Sequence, residues 1–471
     1  MSLSLPTDRL PPGPAASRLA KALGRLQIDR AICYGAAMKI WLLGTGPVIV
    51  YLITKKMSPE IQGIHYTFAS ITALGAFFEL GLGTMLTQFV SHEWSGLRFT
   101  NGNRIEGEGP NLDRLAGLTR FSAYWYGILS IVFFAAASAI GYAIIHRKTG
   151  PEIAWLVPFV ALMAISAINM LLIPAFSILE GCGCVASVAK CRTIAAVGAV
   201  LAVILCLCGR MNLWVLFANA LSTLLTSTIY IGILYRHTFK QLLRRQSAAT
   251  VNWAHEIFPL QSQYAVNAVA GYFLFSVYTP IVFSICGPVQ AGKVGLTMQL
   301  VAQIQSIATL WIVTKAPFYG ALIAKRDYAG LDALFRKGSV VAMGANLIGQ
   351  SLLVLGTLVG GSVLPTVASR LAGVPVVLLF SVASLSNVFS YCLGYYLIGF
   401  KKNPMMKMVV VAAVVNLGLV LALTRYFGVL GAALAQAIVF VGIITPWHLS
   451  IWRRFRRKWV LPHYALAHGP I

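Results

Sequence analysis

Twelve apolar runs, each long enough to cross a hydrocarbon layer, leave this chain few alternatives. They fall at about 32–54, 64–90, 121–145, 153–179, 193–209 and 213–235. After a basic stretch they resume at 257–285, 292–324, 339–361, 375–399, 406–424 and 428–451. About 20 apolar residues at roughly 1.5 Å each span a bilayer. Only 11% of the residues are charged and the mean hydropathy is +0.77, whereas a soluble protein carries about 25% charged residues. The implied fold class is an all-α polytopic membrane protein.

The net charge of +24 is no sign of nucleic acid, because the basic residues sit between apolar runs and not along one face. Alternate connections, counted with both termini, hold 27 of the 37 Lys and Arg residues, the opposite side holds 8, and Lys39 and Lys315 fall inside runs. The positive-inside rule then predicts twelve crossings with both ends cytoplasmic. The expected organisation is a cytoplasmic lead-in 1–30, a six-helix lobe 31–235, a basic linker 236–256, a second six-helix lobe 257–451 and a basic tail 452–471. The lead-in lacks the apolar core of a signal peptide.

The halves repeat. Pro59-x-x-x-Gly63 recurs as Pro288-x-x-x-Gly292, and Val157-Pro158, Asn169 and Gly181 recur as Val374-Pro375, Asn387 and Gly399. Six spans per half is an even number, so both halves share one orientation about an axis along the membrane normal. Two parallel-related lobes around a central cavity follow.

Charges inside spans are costly and face protein or water. Lys39, Glu79 and Lys315 all fall about 13–18 Å in from the predicted cytoplasmic helix ends. Two lysines and one glutamate at one depth suit an anion such as a phosphate or diphosphate, with Glu79 orienting a lysine or taking a proton. The plainer alternative is a buried Lys39–Glu79 pair and a Lys315 that snorkels. Gln299 and Gln303, one helical turn apart, are candidates for sugar contacts; hydrogen bonding between helices accounts for amides such as Asn169, Asn219, Asn267, Gln305 and Asn416. Pro47, Pro174, Pro280 and Pro317 predict kinks. The basic tail Arg453–Lys458, between Trp452 and Trp459, and the linker read as anchors on anionic lipid. Cys182, Cys184 and Cys191 fit no standard zinc spacing, and no nucleotide-binding loop occurs, so no cofactor is expected.

Two groups of residues carry a family resemblance. Trp253-x-x-Glu256-Ile-x-Pro259-Leu-Gln261 with Gly271-Tyr-Phe273 resembles the start of the second half in the O-antigen flippases. Gly46-Pro47, Met57-Ser-Pro59-Glu60, Gly63 and Glu79-Leu-Gly-Leu-Gly83 resemble that family's first two helices. These flippases form the polysaccharide-exporter branch of the multidrug/oligosaccharidyl-lipid/polysaccharide superfamily. The resemblance implies alternating access by two lobes and transfer of a polyprenyl-diphosphate-linked oligosaccharide to the outer leaflet of a bacterial inner membrane. Glycan polymerase or other polysaccharide-assembly proteins would be partners. A cation-coupled drug or metabolite antiporter of the same superfamily is the nearest rival and asks for several cavity carboxylates. A membrane-embedded polymerase or transferase asks for a large external loop or intramembrane His and Asp groups, so the chain is read as a transporter and not an enzyme.

Overall fold

The computed structural model describes residues 30–100, 103–107, 109–245, 258–363, 365–398, 400 and 405–459. Most of the lead-in, the linker segment holding Trp253 and Glu256, and the tail beyond residue 459 lie outside the described residues.

The first lobe begins with α1 (Arg30–Lys56), which carries Pro47 inside it. The second crossing is in three pieces, α2 (Pro59–Thr72), α3 (Leu74–Glu79) and α4 (Leu82–Glu93). Ser58 caps α2 by accepting the Ile61 N–H at 3.2 Å, and Pro59 opens the helix. Leu80 and Gly81, at φ 53° and 69°, separate α3 from α4. Then come α5 (Gly109–Ile145), α6 (Leu156–Met170), α7 (Ile173–Gly181), α8 (Val185–Cys208) and α9 (Val215–Leu234).

The short amphipathic α10 (Arg236–Arg244) precedes the second lobe. That lobe holds α11 (Phe258–Phe275), α12 (Tyr278–Cys286), α13 (Pro288–Ala324), α14 (Tyr328–Val363), α15 (Pro365–Ala368) and α16 (Val374–Ile398). It ends with α17 (Met406–Ala437), a π-helical segment Ile438–Ile444, and α18 (Thr445–Trp459).

Among the described residues ten helical stretches are long and apolar enough to cross a membrane. The α11–α12 pair, bent by 40°, is an eleventh if read as one broken span. The twelfth hides in the stretch Met406–Lys458, whose 53 residues would reach about 80 Å as one helix, more than twice the hydrocarbon thickness. Gly428 interrupts it at φ 58°, ψ −136°. A Cβ on Gly431 would overlap the Leu423 carbonyl, although residues eight apart in a continuous helix are separated by about 12 Å. The chain therefore turns back at Gly428, where glycine supplies the positive φ. Among the described residues, with the α11–α12 pair read as one span and Met406–Lys458 as two, this makes twelve crossings, six in each lobe.

Helix breaks free backbone carbonyls that lipid cannot satisfy. Asn416 on α17 mends the α11–α12 break: its Nδ2 donates to Phe273 O at 2.7 Å while Tyr278 OH donates to its Oδ1 at 2.7 Å. Asn169 does similar work before the α6–α7 break, donating to Ile165 O and across to Ala220 O. Pro174 and Pro280 lie in the first turns of α7 and α12, so they restart helices after breaks and do not kink continuous ones.

The connection 91–120 is more than a loop. Strands β1 (Leu97–Thr100) and β2 (Arg104–Gly107) pair antiparallel, Leu97 opposite Gly107. The Gln241 side chain of α10 extends the ladder, donating to Ile105 O at 2.7 Å and accepting the Ile105 N–H at 3.0 Å. Arg245 closes the arrangement on Asp113 at 2.5 Å. At the C terminus, Arg456 pairs with Asp332 and lies over the Trp452 ring, so α18 is tied to the start of α14. Arg453, Arg454, Arg457 and Lys458 remain exposed.

Candidate functional site

The two lobes meet most closely where α2 and α13 begin. A Cβ on Gly63 would overlap the Pro288 carbonyl, and one on Gly292 would lie 2.9 Å from Gly63 N and 3.2 Å from Pro59 O. Gln62 crosses the seam to donate to Gly292 O at 2.9 Å, and Arg370 Nη2 donates to Met57 O at 2.8 Å. This end of the molecule is sealed by backbone.

Beneath the seal lies a cavity of about 400 Å³ lined from both lobes: by His65, Tyr66 and Ser70 of α2, by Gln299 and Gln305 of α13, and by Ser384 and Asn387 of α16, with Phe380 and Phe440 among its apolar walls. Tyr66 packs against Gly295, where any side chain would collide with its ring, and donates to Gln299 Oε1 at 2.6 Å. His65 is 6% exposed and its Nδ1 has no partner among the described residues. No Asp, Glu, Lys or Arg lines this cavity among the described residues. The wall formed by α16 is held by a buried network. Ser384 Oγ donates to Gln305 Oε1 at 3.3 Å, Gln350 Nε2 donates to Ser384 Oγ at 3.1 Å, and Ser381 Oγ donates to Gln350 Oε1 at 3.1 Å.

A second recess, of about 300 Å³, opens between α1 and α13. Lys39, Thr45 and Gly46 line one side, and Gln299, Gln303 and Ser306 the other. Gly46 admits the Gln303 amide, whose Oε1 would sit 3.1 Å from a Cβ there. The Lys39 ammonium makes no hydrogen bond or ion pair among the described residues. Gln299 borders both spaces. Ile40, Leu42, Leu43 and Val48 of α1 and Ile307 of α13 are exposed apolar residues on or beside this flank. The other flank between the lobes is closed: Tyr264 of α11 abuts Gly81, and Gln88 Nε2 donates to Tyr264 OH at 3.3 Å.

The three charges expected at one depth therefore occupy three settings. Lys39 shares a recess with Gln299 and Gln303, but not with Lys315, which the anion reading had placed beside it. Lys315 lines a separate recess of about 330 Å³ with Phe318, Leu322, Lys325 and Leu334, and its Nζ lies over the Trp311 and Phe318 rings at 5.4 and 5.0 Å. Glu79 borders none of these spaces. Its carboxylate accepts the Gly83 N–H at 3.3 Å and Tyr126 OH at 3.5 Å, capping α4 across the left-handed turn. Neither Lys39 nor Lys315 forms an ion pair with it. Sequence reasoning also missed His65, since a span counted from residue 64 puts it at a helix end. The capping signature Ser58-Pro59 was the available signal, and it places His65 almost two turns inside α2.

No protein-family model matches the chain, and none of the curated proteins matches its sequence. Solved structures do resemble it. An inward-facing multidrug-resistance MATE transporter of the MOP superfamily superimposes with a TM-score of 0.65 at 12% identity, covering 92% of this chain and all of that one. The chain has the fold of the MOP-superfamily transporters. The lipid II flippase MurJ, in an inward closed conformation, gives a TM-score of 0.58 at 11% identity over 88% of this chain and 87% of that one. An outward-facing MATE structure gives 0.51 at 12% identity, over 91% and 96%. These likenesses are to transporters and flippases, and they extend along nearly the whole chain.

Proposed function

We propose that this MOP-fold protein is a flippase for a polyprenyl-diphosphate-linked oligosaccharide, working by alternating access. The observation that carries the reading is the recess between α1 and α13, where an unpaired Lys39 and two glutamines face a gap flanked by lipid-exposed aliphatic residues. A lipid-linked substrate needs such a place. Its polyprenyl tail stays in the bilayer, its diphosphate meets the ammonium, and its sugars meet amides and hydroxyls as they pass Gln299 into the uncharged cavity. Half-buried and with no carboxylate beside it, the Lys39 ammonium is free to pair with an anionic ligand.

The sealed end, which carries Lys55, Lys56, Lys293, Arg370 and Arg425, is the sparsely basic side, and it is assigned to the outer face. The opposite end, with Arg114, Arg192, Arg245 and the Arg453–Lys458 cluster, is assigned to the cytoplasm. The molecule then faces inward, in keeping with the better superposition on an inward-facing relative than on an outward-facing one. A bacterial inner membrane, a role in O-antigen or other lipopolysaccharide assembly, contact of the basic tail with anionic lipid and association with a glycan polymerase complete the reading.

The rival is a cation-coupled drug or metabolite antiporter, favoured by the TM-score of 0.65 with a MATE transporter. Its cycle asks for carboxylates in the cavity, and Glu79 is occupied in capping α4. Reconstituted vesicles separate the two readings. The wild type should translocate a fluorescent polyprenyl-diphosphate oligosaccharide and the Lys39→Gln protein should not. Equal translocation by both, or drug efflux without lipid translocation, would overturn the proposal.

A further inference from the structure

At the sealed end, a fourth space, a recess of about 190 Å³, lies between the lobes, away from Lys39. It is lined by Pro59 and Gln62 of α2, Val289 and Lys293 of α13, and Ser369 and Arg370 in the turn after α15. Two features mark it as more than a packing gap. Arg370 spends one guanidinium nitrogen on Met57 O, while its Nη1 is buried with no partner among the described residues. Gln62, 1% exposed, donates to Gly292 O, and its Oε1 is likewise without a partner.

A buried charged donor left unmade costs more than an ordinary missing hydrogen bond. Neither Arg370 nor Lys293 has an ion-pair partner among the described residues; the nearby Glu60 acts on Arg370 electrostatically without pairing with it. The recess also opens at the first turn of α13, a helix of 37 residues, where free N–H groups favour negative charge.

We propose that this recess binds a phosphate-type anion between Lys293 and Arg370. Arg370 Nη1 supplies a directed donor and Lys293 a point charge, while Gln62 Oε1 accepts from a water or from the O–H of a hydrogen phosphate. The occupant is a free phosphate or diphosphate, an anionic lipid head group, or the diphosphate of the carried lipid. The last of these rests on the flippase reading: as the lobes part, the site would receive the diphosphate near the outer face.

Calorimetry with inorganic pyrophosphate on the Lys39→Gln protein in phosphatidylcholine nanodiscs isolates this site from the α1–α13 recess. Binding is expected there, and adding Lys293→Gln should weaken it at least tenfold while Lys293→Arg restores it. Lys293 makes no hydrogen bond that holds the lobes together, so the variant tests the charge and not the fold. Arg370→Lys should weaken binding as well, since the directed Nη1 donor is lost. Nanodiscs containing phosphatidylglycerol distinguish the sources. Loss of pyrophosphate binding there points to a lipid head group, and unchanged binding points to a soluble or carrier phosphate. Absence of binding in the Lys39→Gln protein, or the same affinity with and without Lys293, overturns the site. Neither outcome bears on whether Lys39 supports translocation, so the two proposals fail separately.

Discussion

Gly63 and Gly292 face each other across the seam between the lobes, and each lies against the residues that begin the other's helix. Gly63 meets Pro288, and Gly292 meets Pro59. They are equivalent positions of the two halves, so the contact is reciprocal in the manner of a two-fold interface within one chain.

A side chain at either position has nowhere to go. Gly63→Val should drive α2 and α13 apart and lower the thermal midpoint, at a cost of roughly 1–3 kcal/mol by analogy with overpacked cores. It should also make a cysteine at Ser70 more reactive to a membrane-impermeant reagent added from outside. Unchanged reactivity would show that the seal does not depend on this contact.

Lys39→Ala should reduce lipid translocation at least a hundredfold with normal membrane insertion. Lys315→Ala should reduce it less than about threefold, because that ammonium stacks on Trp311 and Phe318 in a recess of its own. Vesicle assays on both proteins at matched levels give the comparison; equal defects would restore the shared ring of charge read from the sequence.

Glu79 separates a capping role from a transport role. Glu79→Gln keeps acceptors for Gly83 and Tyr126 and should leave both translocation and thermal stability close to wild type. Glu79→Ala strands those donors and should cost about 1–3 kcal/mol. Loss of transport in the glutamine variant, with stability intact, would instead reveal a proton-carrying carboxylate.

Asn416→Leu removes two hydrogen bonds at the α11–α12 break and leaves Phe273 O and Tyr278 OH without their partner. A loss of roughly 2–4 kcal/mol is expected from two stranded groups, read as a lowered unfolding midpoint in detergent. Asn416→Asp should lose less than Asn416→Leu, since it retains the acceptor for Tyr278.

Gln241→Ala should release α10 from the hairpin. Hydrogen exchange at Ile105, whose N–H bonds to that side chain, should rise at least tenfold. Exchange in α2 and α13 should not change.

The apolar runs were legible because lipid demands long helices, and the even span count followed from where lysine and arginine fall. The pairing of the Pro59–Gly63 and Pro288–Gly292 motifs could be read as a repeat, but not as a contact, since a repeat carries no distance. Lys39 and Lys315 look alike in sequence, each about a third of the way into a span; their separation depends on which way each helix face turns, and the aromatic residues at positions 311 and 318 settle that only in three dimensions. The β-hairpin at 97–107 was missed because its register is completed by a side chain 136 residues away from Ile105. His65 was missed through a helix start placed five residues too late.

Gln299 looks onto two spaces at once, and Tyr66 holds its oxygen. On the proposed flippase route, a sugar that had passed Gln303 in the flank would meet the same Gln299 amide that it would still touch in the middle. Entry would then be a handover with no bare stretch to cross, its pace set by how readily one tyrosine lets go.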